Sequence, residues 1–337
     1  MTAAVRAADG PTAPVQVDWH LSTAGADAAP ARWLDVARAA GHLGFAALLL
    51  PGGPLREEPW LVAAHLARQT RRLRFAVGLQ PGLALPAVVA QRAQALADIA
   101  GGRVELSLRV RAAPASTRVY GDAVNHDDRF RRAAEFLHVL RQCWQGRQGP
   151  LGFNHRGAHF RVENGGLLRP LAQPPALRVA GDGPSIERIA AEHADLFVLH
   201  EEAPGALEPR IARIRAQAAA QGRALRIGYR LQVIARPQAG QARAAAAEAL
   251  RRDGGTAAPE SAGGLPLPAD VDLLRWRHGA DVGTARGTVT LVGSGEAVVA
   301  TLRGLAGLGV DRFMLSGGDA LEDAYWIGED VLPQLLK

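Results

Sequence analysis

LRFAVGLQPGLALPAVVAQRAQALADIAGGRVELSLRV, residues 73–110, holds one complete unit of a repeating fold. Residues 73–79 read as a strand, Pro86–Ile99 as a helix with apolar positions returning every three or four residues, and VELSLRV at 104–110 as a strand again. A period that switches from two to 3.6 and back within so short a stretch belongs to a parallel βα unit. The same switch recurs on both sides. Upstream, VQVDWHL (15–21) predicts a strand, 31–43 a helix, Phe45–Leu50 a strand, and the turn Pro51–Gly53 leads into a helix over 57–69. Downstream, a helix from about Asp127 carries Phe130, Ala133, Ala134, Leu137, Leu140 and Cys143 or Trp144 along one buried stripe. LRVAG (177–181), ADLFVL (194–199), Tyr229–Ala235 and Arg312–Leu315 predict further strands, interleaved with helices over 186–193, 205–220, 239–250 and 296–305 and followed by one over 321–336.

Seven or eight such units favour a single α/β domain, a (β/α)8 TIM barrel over residues 16–337, rather than a doubly wound sheet. Its chemistry is then expected at the C-terminal ends of the strands. Residues 1–15 are expected to form a flexible extension, and the Gly- and Pro-rich stretch 253–288 a mobile insertion beside the active site.

Composition narrows the class. Of the 337 residues, 48% are hydrophobic and 21% charged, which excludes global disorder. The net charge of +6 comes from scattered arginines and suits a small anion better than nucleic acid. A lone Cys143 excludes an intramolecular disulfide and a cysteine-rich metal site, and fits a reducing compartment. With neither a signal-like apolar core in the first fifteen residues nor a run of about 20 lipid-compatible residues, a cytoplasmic location and no membrane association are expected.

Familiar site motifs are missing. No G-x-G-x-x-G follows the first strand, no G-x-S-x-G elbow occurs, and His155 and His159 sit in FNHRGAHF, which reads as a turn or hairpin and not as a metal site. GDGPS at 181–185 is either a plain turn or part of a phosphate cradle, in which Asp182 would set negative charge beside the phosphate.

GHLGFAALLLPGGPLREEPWLVAA (41–64), NHDDRFRRAAEF (125–136), GYRLQVIARP (228–237), TVTLVGSGEAV (288–298) and DRFMLSGGDALEDAY (311–325) follow one another in a telling order. In these segments the chain resembles the bacterial-luciferase-like flavin monooxygenases, most closely their alkanesulfonate monooxygenase branch, over about residues 16–335. The resemblance implies a (β/α)8 barrel that uses transiently bound reduced FMN and O2, with the flavin delivered by a separate NAD(P)H-dependent flavin reductase. It also implies a homodimer or higher homo-oligomer. The cofactor carries the redox chemistry, and the barrel supplies an anion grip, ring orientation and a dry enclosure.

By the same resemblance, Arg230 stands where an anionic oxygen group is recognised, Tyr325 where a phenol faces the active site, and Arg286 on the loop that covers the flavin. The structural alternatives are an ion pair for Arg230, packing for Tyr325 and a surface loop for Arg286. His126 and Arg129 correspond to residues near flavin, with a local helix cap and ion pair as the alternative; H-x-D-R-F here replaces H-x-E-R-Y. Gly181, Asp182 and Gly183 replace a G-S-S pattern at the cofactor phosphate. In the substrate pocket Arg56 replaces a cysteine, His200 a tryptophan and Gln232 a histidine, while Ala24 and Arg111 replace a histidine and a glycine. Two functions fit these departures. One is an FMNH2- and O2-dependent monooxygenase for a small organosulfur or other anionic substrate, such as an alkanesulfonate. The other is a catalytically degenerate barrel serving as a binding protein or noncatalytic partner subunit.

Overall fold

The computed structural model describes residues 14–21, 29–53, 57–110, 120–122, 124–146, 152–171, 173–200, 203–277 and 287–337. In chain order the first half runs β1 (Gln16–His20), α1 (Pro30–Leu43), β2 (Ala47–Leu50), α2 (Pro59–Ala67), β3 (Arg74–Leu79), α3 (Pro86–Ala100), β4 (Val104–Arg109) and α4 (His126–Trp144). A small hairpin, β5 (Phe153–Arg156) and β6 (Arg161–Gly165), follows, and then β7 (Ala176–Ala180), α5 (Pro184–His193), β8 (Leu196–Leu199) and α6 (Leu207–Ala220). The last part holds β9 (Arg226–Arg236), α7 (Ala239–Asp253), β10 (Thr256–Pro259), β11 (Val271–Arg277), β12 (Thr288–Ser294), α8 (Gly295–Gly307) and β13 (Arg312–Ser316). The final helical stretch is α9 (Glu322–Trp326), which passes through a π-helical turn into α10 (Leu332–Leu335).

Eight parallel strands close into a barrel. β1 pairs with β2, β2 with β3, β3 with β4, β4 with β7, β7 with β8, β8 with β9, β9 with β13, and β13 returns to β1. The fold is therefore the α/β TIM barrel that the repeating period predicts. Strands in such a barrel are covered on both faces, which is why LFVL of β8 and RFML of β13 are buried at every position. The helices turn one stripe inward. On α4 this is Ala133, Phe136, Leu137, Leu140 and Cys143, and the Asn125 side chain caps the helix by accepting from the Asp128 amide at 2.8 Å. Burial pushes the Cys143 thiol up to about 11, so it behaves as core. Among the described residues, no helix is long and apolar enough to cross a membrane.

Two features were not apparent from the periodicity. β9 is longer than the barrel needs: residues near Gly228 lie between β8 and β13, while Gln232–Arg236 run on to pair in parallel with β12. β11 lies antiparallel to β12, and β10 antiparallel to β11, so the described part of 253–288 includes two strands that extend the sheet. Residues 278–286 lie outside the described part.

The second feature is an ionic network inside the barrel. Arg178 donates to Asp18 at 2.6 Å and, through Nε, to Glu105 at 2.6 Å; Arg312 donates to both Asp18 oxygens at 2.6 and 2.8 Å; Arg74 donates to Glu105 at 2.8 Å. Asp18, Arg178, Glu105 and Arg312 are all buried. Two carboxylates balance the two buried guanidiniums, which is the condition under which so much charge survives removal from water.

Candidate active site

At the C-terminal ends of the barrel strands lies a cavity of about 640 Å3, counted out to its open mouth. Each of the eight barrel strands contributes to its wall. His20 is the last residue of β1, Arg109 the last of β4, and His200 follows β8, so the barrel's geometry delivers side chains far apart in sequence to one rim. Ser107, Arg178 and Arg230 complete the polar lining, while Leu49, Leu79, Val198 and Met314 supply apolar wall. None of the fourteen lining residues is an aspartate or a glutamate. Arg178 belongs both to this wall and to the ionic network, where Asp18 and Glu105 match its charge.

Part of the wall has no side chain at all. A Cβ on Gly78 would stand 2.3 Å from the Gly52 nitrogen and 2.8 Å from the Leu50 carbonyl, so only glycine allows the exit of β2 to cross β3 this closely. The two glycines leave backbone against which a flat ring can lie.

His200 is buried, and its Nε2 stands 3.5 Å from Asp182 Oδ2. Burial, then the charges of Arg109 and Arg230, hold its pKa well below the usual imidazole value, so the ring is neutral at physiological pH. Asp182 sits in the turn before α5, where Gly183 adopts φ +93°, and its other oxygen lies 3.6 Å from Arg210 Nη1. The carboxylate that the sequence sets inside a possible phosphate turn is thus engaged by a histidine and an arginine.

A smaller hollow of about 240 Å3 shares Arg109 and is walled by Gln80, Pro81, Asp122, Arg129 and Arg132. Arg132 is ion-paired with Asp122 at 2.5 Å, and Arg129 Nε donates to the Val124 carbonyl at 3.1 Å. The Gln80 amide is buried with no hydrogen-bond partner among the described residues.

The site residues named from the sequence fall in several places. Arg230 and His200 line the main cavity, with Asp182 against His200 and Gly181 and Gly183 flanking it. Arg129 lines the smaller hollow, and His126 is the first residue of α4. Gln232 is buried outside the lining, where its amide accepts from Thr290 at 3.2 Å and donates to the Gly317 carbonyl at 3.4 Å. Tyr325 lies on α9, 44% exposed and outside the lining. Arg56 and Arg286 lie outside the described residues. The cavity also contains His20, Ser107, Arg109 and Arg178, which no motif marks; their one signal is a polar residue at or near the C-terminal end of an apolar strand.

Comparison with known proteins agrees with this architecture. Solved structures similar along nearly the whole chain include a riboflavin lyase with modified FMN and riboflavin, 18% identical, TM-score 0.78, covering 96% of this chain and 91% of that one. An EDTA monooxygenase from Chelativorans sp. BNC1 is 19% identical, TM-score 0.76, over 96% of this chain and 94% of that one. A long-chain alkane monooxygenase is 18% identical, TM-score 0.76, over 96% and 91%. At such identities the likeness is one of fold. The sequence pattern of the family described as luciferase-like monooxygenase matches residues 11–312, and the chain belongs to that family.

Proposed function

We propose that the protein is a two-component flavin-dependent monooxygenase that binds reduced FMN and oxidises a small anionic organosulfur substrate with O2, an alkanesulfonate being the first to test. One observation carries the reading: the cavity at the C-terminal face presents Arg109, Arg230, His20 and His200, with no acidic side chain among the described residues of its wall. The residues present also suit FMN, because the glycine wall and the apolar side chains fit a flat ring while the arginines fit a phosphate or sulfonate. When bound, reduced FMN supplies the activation of dioxygen. The chain's part is to bind the anion through fixed guanidinium forks, to orient the ring and to keep water out. A separate NAD(P)H-dependent reductase, self-association as a dimer and a cytoplasmic setting complete the proposal.

A barrel that binds flavin without turning over is the second reading, and it draws on Tyr325, whose phenol stands outside the cavity. Supplying chemically reduced FMN and O2 with a panel of alkanesulfonates and sulfones, while quantifying oxidised product and hydrogen peroxide together, separates the two. Product formation in proportion to flavin supplied is expected. Peroxide alone across the whole panel, with flavin still bound, would hand the protein to the second reading.

A further inference from the structure

His200 occupies an unusual electrostatic position. From the turn before α5, Asp182 places a carboxylate oxygen 3.5 Å from Nε2, and the backbone of Val198 in β8 also acts on the ring; both influences favour an imidazolium. Against them act burial and three guanidiniums, Arg109 from β4, Arg230 from β9 and Arg210 from α6. Arg210 is largely answered by Glu187, with Nε to Oε1 at 2.9 Å, and Arg178 of the same wall by Asp18 and Glu105. His20, from β1, also lines the cavity. Of the three guanidiniums that act on His200, Arg109 and Arg230 also line the cavity a ligand would fill.

We infer that the cavity binds an anion together with a proton, and that His200, held by Asp182, takes up that proton and so ties affinity to the ligand's negative charge. The inference rests on the proposal that the cavity is an anion site. An anion between Arg109 and Arg230 offsets the positive field that adds to burial in disfavouring the charged ring, while the Asp182 carboxylate stays beside Nε2 to suit that form. The proton comes from solvent and is bound at a ring nitrogen, so one anion and one proton enter for no net change in charge. The sign follows from linkage. The His200 pKa is low in the free protein and raised in the complex, so affinity is lowest above the bound-state pKa. It climbs by about tenfold per pH unit as pH falls toward the free-state pKa, and levels off below that. A neutral ligand of the same shape produces no such climb.

The test is isothermal titration calorimetry of the whole protein with octanesulfonate, whose charge is constant across the range, from pH 5 to 9. Bis-Tris and imidazole are used because common biological buffers are themselves sulfonates, and the difference in heat between them counts protons. Wild type is expected to take up about one proton per anion within the window, with the affinity climb above. His200→Gln should bind at the weak, high-pH affinity of wild type, with no proton uptake and a flat profile. Asp182→Asn, which removes the carboxylate's charge without touching the ring, should shift the climb to lower pH. Circular dichroism confirms that each variant is folded. Sulfonate binding without proton uptake in wild type, or uptake that persists in His200→Gln, would overturn the role of His200 and leave the anion site standing. No sulfonate binding at any pH would remove the anion site itself.

Discussion

Glu105→Gln should lower the folding stability by about 3–5 kcal/mol, measured by urea denaturation at neutral pH. The carboxylate accepts from Arg74 and Arg178 and stands 3.4 Å from Arg312 Nη1, so its neutral replacement leaves Asp18 alone against two buried guanidiniums. The loss should depend on pH in a defined direction. Burial alone would raise the Glu105 pKa, but Arg178 and Arg312 outweigh it and bring it down to about 2. A carboxylate with a depressed folded-state pKa contributes stability above its unfolded value, near 4.5, and loses it as pH falls toward about 2. The gap between wild type and variant should therefore be widest above about pH 5 and narrow steadily below it. A constant gap from pH 3 to pH 7 would show that the charge on Glu105 is not what holds the network together.

Arg230→Ala should weaken octanesulfonate binding by about 2–5 kcal/mol, a factor of roughly 30 or more. Arg230 belongs to the cavity wall and not to the ionic network, so this change should spare the fold, in contrast to any change at Arg178. Arg230→Lys should recover part of the electrostatic attraction but not the planar two-point grip, and should fall between the alanine variant and wild type. Equal affinities in all three proteins, each folded by circular dichroism, would take Arg230 out of the site.

The barrel is legible in the sequence because its signal is local. VQVDWHL, LRFAVGL and VELSLRV each carry their strand in a few residues, and the α4 stripe from Phe130 to Cys143 carries its helix in the same way. Arg230 and His200 could also be named, since a family resemblance supplies positions that periodicity cannot. The ionic network could not. Asp18 and Arg178 are 160 positions apart, and Asp18 and Arg312 are 294 apart; only the closure of β13 onto β1 brings them together. Each looks in sequence like a stray charge within an apolar strand. The same limit hides Arg109 and His20, whose meeting depends on strand order, and it hides the pairing of β12 with the overlong end of β9. Gln232 illustrates the converse: a resemblance assigns it to the pocket, while its hydrogen bonds tie it to Thr290 and Gly317.

The measurement that bears hardest on the flavin proposal is an anaerobic titration with reduced FMN, followed by absorbance and fluorescence, on wild type and on Ser107→Trp. Ser107 lines the cavity on β4, so an indole there would fill the space; it lies opposite Arg178 on β7, and circular dichroism and urea denaturation check that the variant keeps the fold. Wild type should bind reduced FMN saturably and more tightly than oxidised FMN, and the folded Ser107→Trp variant should bind neither. Failure of wild type to bind either form, or undiminished binding by the variant, would contradict a flavin site in this cavity.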